Sequence, residues 1–160
     1  GVERVLIVDW DVHHGNGTQH IFEERGDVFF FSSHQYPLYP GTGTADETGR
    51  GAGAGTTLNC PLPPGTTDEA FLAALEGPLT EAADRFRPQF VLVSAGFDAH
   101  RQDPLAQLEV STEAFGRATR AVAAIADRHA GGRLVATLEG GYDLEALAAS
   151  TAAHLQELLE

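Results

Sequence analysis

In the stretch VDWDVHHGNG, residues 8–17, the apolar run VLIV of residues 5–8 gives way to two acids, two histidines and a glycine-broken turn. Ionisable side chains packed this tightly at the end of a strand are costly unless something neutralises or uses them. Three explanations are open at this point: a bound metal ion, a catalytic network or a solvated turn. The rest of the sequence has to distinguish among them.

The composition indicates one strongly acidic globular domain. The chain has 160 residues, of which 42% are hydrophobic, and this is enough to build a core. The net charge of −13 disfavours nucleic acid as a partner, because nucleic-acid binding needs a basic surface. No apolar run approaches the ~18 residues of a membrane span, and no basic-then-apolar leader is visible, so neither a span nor a secretory signal is predicted.

Several residue types are scarce or missing. All ten basic residues are arginines, which excludes Schiff-base catalysis by lysine and lysine-dependent phosphate loops. The single cysteine, Cys60, rules out an internal disulfide and favours a reducing compartment, the cytoplasm. The chain contains no methionine and opens almost directly into an apolar run, so we expect it to be an excerpt of a longer protein.

The hydrophobic pattern predicts an α/β domain with a parallel sheet. Apolar runs that do not alternate predict buried strands at residues 4–8, 28–31, 90–94 and 134–138. Helical spacing of apolar residues predicts helices at residues 17–24, 67–86, 112–129 and 143–159. Pro78 predicts a kink or a break in the second helix. The glycine-rich residues 41–55 are interpreted as a loop, because they lack the lysine and the strand–turn–helix context of a phosphate cradle.

Reactive side chains follow three of the predicted strands directly. DWDVHH comes after the first strand, AGFDAH after the third and EGGYD after the last. In parallel sheets, ligands bind beyond the carboxyl ends of the strands. The sequence therefore predicts a single site at that edge.

Asp11, His13 and Asp98 are the candidate metal ligands within this site. Asp11 and His13 are two residues apart, so on an extended chain both point to the same side. Asp98 follows another strand behind the small residues Ala95 and Gly96, where the backbone can turn closely. Two carboxylates and one imidazole would leave a zinc ion one open position for water. The alternatives are a structural turn for the pair and a helix or turn cap for Asp98.

Other polar residues of the opening stretch have two interpretations each. Asp9 points the same way as Asp11 and suits the role of orienting a histidine. His14 faces away from His13 and is interpreted as a buried structural histidine. Asn16 would either bond to another group of the site or shape the glycine turn.

Aromatic residues near the predicted edge are also candidates. Tyr142 follows two glycines, so its phenol could reach over a metal and donate to an oxyanion. The alternative is a buried aromatic at the start of a helix. His34, Tyr36 and Tyr39 would line a pocket or belong to a rigid loop.

These motifs together resemble the zinc-dependent histone deacetylase family, and within it the class II-like bacterial branch that includes acetylpolyamine amidohydrolases. The resemblance runs from about residue 4 to the end through VDWDVHHGNGTQ, FSSHQYPLYPGTGTADETGRGAG, SAGFDAHRQDPLA and LEGGYDL. It implies the three-layer arginase–deacetylase α/β fold with an eight-stranded parallel sheet. Residues 1–160 would be a partial catalytic domain, its carboxyl-terminal half.

The resemblance also implies roles for individual residues. Asp11, His13 and Asp98 would ligate zinc, and Tyr142 would polarise the acetyl carbonyl. Implied walls of the substrate channel are Leu105, Gly140, Gly141 and Tyr39, the last at a position that is often phenylalanine.

An implied potassium site takes backbone oxygens of Asp9, Asp11 and His13 with the Ser32 hydroxyl and the Ser33 carbonyl. A second would use carbonyls near Phe22, Arg25 and Val28. Asn16 stands where other branches carry an acid that pairs with a catalytic histidine.

The reaction implied is hydrolysis of the acetamide of acetyl-lysine in protein, or of an acetylated polyamine or similar small amine. The family's tandem catalytic histidines lie in a GHH motif that is not in these 160 residues. We therefore expect this chain alone to be inactive. The alternatives are a ureohydrolase with two manganese ions and a non-catalytic metal-binding or interaction fragment.

Overall fold

Every strand in the computed structural model, which describes residues 1–159, runs parallel to its neighbours. In chain order the strands are β1 (Val5–Asp9), β2 (Val28–Gln35), β3 (Thr57–Leu62), β4 (Phe90–Ala95) and β5 (Leu134–Leu138). Their spatial order is β3-β2-β1-β4-β5, so the chain winds from β1 to one side and then crosses back to the other. This change of direction lies between β1 and β4, the place where parallel sheets bind ligands.

Helices lie on both faces of the sheet. They are α1 (Asn16–Phe22), α2 (Asp68–Ala74), α3 (Thr80–Phe86), α4 (Thr112–Ile125) and α5 (Leu144–Leu159). The large apolar cluster joins Val8 and Val93 of the sheet to Phe71 of α2 and Phe115 of α4. A smaller cluster on the opposite face joins Ile7, Val28 and Phe30 of the sheet to Phe22 of α1. Within residues 1–159, no helix has both the length and the apolar character needed to cross a bilayer.

The predicted break at Pro78 is confirmed. Helix α2 ends at Ala74, helix α3 begins at Thr80, and a wider π-type turn, Leu75–Leu79, joins them. Proline has no N–H to donate, so a regular α-helix cannot run through it. The Thr80 hydroxyl donates to the Leu75 carbonyl across the turn at 3.0 Å.

The sequence pattern failed where polar residues are buried in the sheet. Strand β2 continues to Gln35, beyond the predicted end at residue 31, and all of its residues are buried. Strand β3 was not predicted, because Asn59 and Pro61 interrupt its apolar residues. As an edge strand it tolerates a proline that a central strand would not.

The other boundaries moved little. Helix α1 spans Asn16–Phe22, and α4 ends at Ile125, ahead of a second π-type turn, Ala126–Ala130. Ser111 caps α4 as predicted, since its side chain accepts a hydrogen bond from the Ala114 N–H. Residues 41–55 form a loop whose only regular element is a 3₁₀ turn, Gly51–Gly53.

One buried histidine of α5 contacts α4 and the segments that follow β1 and β4. The His154 imidazole is 4% exposed and contacts the rings of Trp10 and Phe97. Its Nδ1 lies 2.7 Å from the Thr119 hydroxyl, which itself donates to the Phe115 carbonyl. The His154 Nδ1–H is therefore the donor, and its buried Nε2 has no partner among the described residues. Burial lowers the pKa of His154 below its ordinary value because the charged form is desolvated.

This histidine makes the free energy of unfolding fall in mild acid. Below about pH 6.5 the unfolded chain takes up a proton that folded His154 resists, so stability is lost from that pH down to the folded pKa. His154→Gln keeps a donor for Thr119 but does not titrate. We expect its unfolding free energy, from urea denaturation between pH 7.5 and pH 5, to vary less with pH than that of the natural protein. His20→Gln, at a surface histidine, is the control, and an unchanged slope in His154→Gln would contradict the assignment.

Candidate metal centre

The three predicted metal ligands meet where β1 and β4 end side by side. The two strands pair in register, with Asp9 opposite Ser94. Asp11 and His13 follow β1, and Asp98 follows β4. His13 Nδ1 lies 3.0 Å from Asp11 Oδ1 and 3.1 Å from Asp98 Oδ2. The three side chains each offer one ligand atom, and these atoms all lie within 4.8 Å of one another, so a single cation can contact all of them.

A tight bend, and not the extended chain assumed from sequence, brings the ligands together. Strand β1 ends at Asp9, and residues 11–13 form the bend. The His13 N–H donates to Asp11 Oδ1 at 2.8 Å, and the Val12 N–H donates to Asp98 Oδ1 at 2.7 Å. The backbone of the bend thus orients both carboxylates.

The oxygen of Asp98 that faces the cluster is left without a donor. Asp98 is completely buried, and no donor hydrogen of the described residues is aligned with its Oδ2. A buried carboxylate oxygen in this situation is costly unless a cation or proton satisfies it. The donor set of two carboxylates and one imidazole, with space for a further ligand, matches a catalytic zinc site. The residues present therefore fit a zinc ion.

Electrostatics lead to the same conclusion. The hydrogen bond to Asp11 and the nearby carboxylate of Asp98 raise the pKa of His13 to about 10. Burial raises the pKa of Asp98, and burial together with the charge of Asp11 raises the pKa of Asp9 well above its usual range. A proton on His13 supplies only part of the positive charge that these carboxylates require. A divalent cation at the same point would supply more and would displace that proton.

A two-metal centre of the ureohydrolase type is not built from the described part of the chain. Within residues 1–159, Asp11, His13 and Asp98 form the one group of three acids, histidines or cysteines close enough to hold a metal. A second ion would need further ligands at bridging distance. This observation disfavours the manganese alternative.

Asp9 lies behind the predicted ligands and is 5% exposed. Its Oδ1 accepts the Asp11 N–H at 3.1 Å, so within this chain it orients the backbone of a ligand and not a histidine. A cavity of about 270 Å³ adjoins it, with Asp11, His13 and Glu139 also in the wall. An imidazole entering this cavity would meet the Asp9 carboxylate.

Glycines allow two loops to pass directly over the ligands. A Cβ on Gly96 would collide with the Asp11 carboxylate, and one on Gly140 would collide with that of Asp98. The Gly140 N–H donates to Asp11 Oδ2 at 2.9 Å, and the Gly140 carbonyl accepts the Phe97 N–H at 2.7 Å. The loop after β5 is therefore fastened to the metal ligands.

This loop carries Tyr142, while Leu105 and Tyr39 come from two other loops. All three side chains are more than half exposed. The Tyr39 ring centre lies 6.5 Å from that of His13. Partial burial, followed by the charges of Asp98 and Asp11, raises the pKa of the Tyr142 hydroxyl. The phenol therefore stays protonated at neutral pH, as a hydrogen-bond donor must.

The residues of the first potassium site lie at the end of β1 and beside it within β2, and the site stays a prediction. Ser32 of β2 pairs with Asp9 of β1. The Ser32 hydroxyl is hydrogen-bonded to His34 Nδ1 at 2.9 Å. At the second implied potassium site, the Phe22 carbonyl already accepts a hydrogen bond from the Arg25 N–H at 2.8 Å.

The remaining polar candidates divide by burial. His14 is 4% exposed and bonds through both ring nitrogens, to Thr42 at 2.8 Å and to Gln19 at 2.9 Å, as expected for a structural histidine. His34 was expected in a pocket or a rigid loop, but it is a fully buried residue of β2 whose Nε2 donates to the Gly43 carbonyl. Asn16 is exposed at the start of α1.

Sequence reasoning assigned no role to Asp103, Gln19 or Glu47. Asp103 accepts hydrogen bonds from the backbones of Leu105 and Tyr142. Gln19 donates to Glu47 at 2.5 Å and accepts from Asn59 at 2.7 Å, which joins α1 to the glycine-rich loop and β3. Apart from Asp103 and Leu105, which are two residues apart, these pairs are distant in the chain, so no local spacing could have indicated them.

Known proteins are similar to this chain in sequence and in fold. A family model described as histone deacetylase domain matches residues 1–158. A probable deacetylase of Archaeoglobus fulgidus is 48% identical over 145 residues, which cover 91% of this chain and 40% of the relative. A polyamine deacetylase of Homo sapiens is 42% identical over 165 residues, which cover 99% of this chain and 24% of the relative.

A solved structure agrees with the fold. The acetylpolyamine aminohydrolase from Burkholderia pseudomallei has a TM-score of 0.89 and 37% identity, over 98% of this chain and 45% of that one. The five parallel strands thus belong to the arginase–deacetylase fold. The chain spans less than half the length of each of these three relatives. Because the family model covers almost the whole sequence, the chain belongs to the histone deacetylase family.

Proposed function

We propose that the protein is a zinc-dependent deacetylase that hydrolyses the acetamide of acetyl-lysine or of a similar N-acetylated amine. The observation that carries this proposal is the convergence of Asp11, His13 and Asp98 beneath the loop that bears Tyr142. Membership of the histone deacetylase family gives independent support.

Asp11, His13 and Asp98 would hold the zinc ion. When bound, zinc polarises an acyl carbonyl and lowers the pKa of a water ligand. Tyr142 donates its hydroxyl hydrogen to the oxyanion that develops on the acetyl oxygen. A phenol, whose ordinary pKa is about 10, is protonated at neutral pH and can therefore donate this hydrogen.

Proton transfer needs groups outside these 160 residues. The resemblance places the general base and acid in a tandem histidine pair, and the sequence contains no GHH motif. The Asp9 carboxylate faces the cavity beside the ligands, where it is suited to orient an imidazole of that pair. Asn16, the other residue implied to act near the pair, lies at the start of α1.

The substrate is an acetylated amine that reaches the zinc along Tyr39, Leu105 and the Gly140–Gly141 backbone. The related proteins are named for polyamine and acetylpolyamine substrates as well as for histones. The net charge of −13 favours a cationic substrate, which suits both lysine-rich protein and polyamine. Potassium at the Ser32 and Ser33 site would be structural, and the free thiol of Cys60 fits the cytoplasm.

Asp98→Asn tests the ligand set in the full-length protein. Replacing one anionic oxygen by an amide removes a ligand and leaves the packing nearly unchanged. We expect zinc content and deacetylation of an acetyl-lysine peptide to fall together. Asp84→Asn, at an exposed aspartate paired with Arg128, is the matched control and should keep both. Full zinc occupancy in Asp98→Asn would remove Asp98 from the set.

Tyr142→Phe separates catalysis from metal retention. The loss of one oxyanion donor should lower kcat by roughly 10²–10³. Zinc content should stay at the natural level, because the phenol is not a ligand. Normal turnover by this variant would make Tyr142 a structural residue.

Comparison of the 160-residue chain with the full-length protein tests the origin of proton transfer. General acid–base help is worth about 10²–10⁴ in rate, so without the histidine pair the chain alone should nearly lack turnover while still binding zinc if it folds. Both proteins would be assayed with added zinc on one acetylated peptide. Comparable turnover by the 160-residue chain, as a soluble monomer, would refute the need for a histidine pair from outside it.

A further inference from the structure

Asp103 is a buried carboxylate that lies between two functional loops. It is 7% exposed and belongs to the segment between β4 and α4. Its Oδ1 accepts the Leu105 N–H at 2.9 Å, and its Oδ2 accepts the Tyr142 N–H at 2.8 Å. The second bond joins residues 39 positions apart in the chain.

The bond to Tyr142 fixes the backbone at the residue whose side chain is proposed to act. Gly140 is anchored separately, through Asp11 and Phe97. Gly141 lies between these anchors with φ of 145°, a conformation that glycine adopts readily and other residues rarely do. Without the bond to Asp103, the backbone at Tyr142 would lose its nearest hydrogen-bonded anchor between Gly141 and helix α5.

The exposed side chain of Tyr142 makes this anchor important. Within the described chain Tyr142 is 51% exposed, so packing of these residues against its phenol does little to hold the ring. Within this chain the position of its hydroxyl therefore depends mainly on where the backbone is held. Leu105, which is 54% exposed, depends on its backbone in the same way.

We propose that Asp103 is a positioning residue that sets the distance between the oxyanion donor Tyr142 and the channel wall at Leu105. This inference rests on the proposed function, because it acts through the role given to Tyr142. A carboxylate suits this role because both of its oxygens accept hydrogen bonds and it has no hydrogen to donate. Charge-assisted hydrogen bonds of this kind are also about twice as strong as neutral ones.

Asp103→Asn keeps the shape of the side chain but removes one acceptor. The amide can accept one of the two N–H groups and turns its own NH₂ towards the other. A misplacement of about 1 Å at a reacting group can cost on the order of 10²-fold in rate. We expect kcat of the full-length enzyme to fall about 10- to 100-fold, with zinc content and melting temperature close to the natural values.

A double-mutant cycle with Tyr142→Phe distinguishes positioning from a general structural role. If Asp103 acts through the Tyr142 hydroxyl, Asp103→Asn should cost less than about twofold in kcat once that hydroxyl is gone. A structural defect would lower kcat by the same factor in both backgrounds. Asp143→Asn is the matched control. The Asp143 carboxylate, in the same loop, accepts a hydrogen bond from the Ala146 N–H at 2.8 Å, and asparagine caps helices equally well.

Each result of the cycle has a separate meaning. An equal loss in both backgrounds, or no loss in Asp103→Asn while Tyr142→Phe is impaired, overturns the Asp103 proposal and leaves the proposed function intact. Normal turnover by Tyr142→Phe overturns the role of the tyrosine, and the Asp103 proposal with it. If Asp103→Asn unfolds at the assay temperature, Asp103→Glu replaces it, since the longer carboxylate keeps both acceptors but displaces them. Asp103→Glu is then expected to lower kcat in the same way, and this loss should disappear in the Tyr142→Phe background.

Discussion

Two carboxylates and an imidazole meet at neighbouring strand ends, and the charge concentrated there is the constraint on which the surrounding structure depends. Asp98 is completely buried with one oxygen lacking an aligned donor, and Asp11 and Asp98 together raise the pKa of His13 to about 10. Backbone N–H groups of Val12, His13 and Gly140 donate to the two carboxylates, and Asp11 Oδ1 and Asp98 Oδ2 both lie near His13 Nδ1. Such an arrangement is costly without positive charge at its centre.

Close approach of backbone to these carboxylates is the second constraint. Gly96 and Gly140 have no side chain that could clash with Asp11 or Asp98, so loops from two strands can meet above the ligands. One of these loops continues to Tyr142. The same glycines that make room for the cluster thus bring the proposed oxyanion donor to it.

Much of this could be predicted from the sequence, because the relevant residues follow the strands that position them. Asp11, His13 and Asp98 each come within a few residues of an apolar run, and parallel strands bring their carboxyl ends to one edge. The continuation of β2 past residue 31 was missed because its buried residues there are polar. Asp103 was missed because its bond to Tyr142 spans 39 residues, and only the folded chain places those two residues together.

The central claim is that one zinc ion is held by these three side chains. The most direct measurement is a crystal structure of the full-length protein with diffraction data collected on both sides of the zinc absorption edge. We predict a single anomalous peak in this region, about 2.0–2.2 Å from His13 Nδ1 and from one oxygen each of Asp11 and Asp98. A zinc peak bound elsewhere, or a zinc-free crystal of enzyme that still deacetylates, would contradict the account.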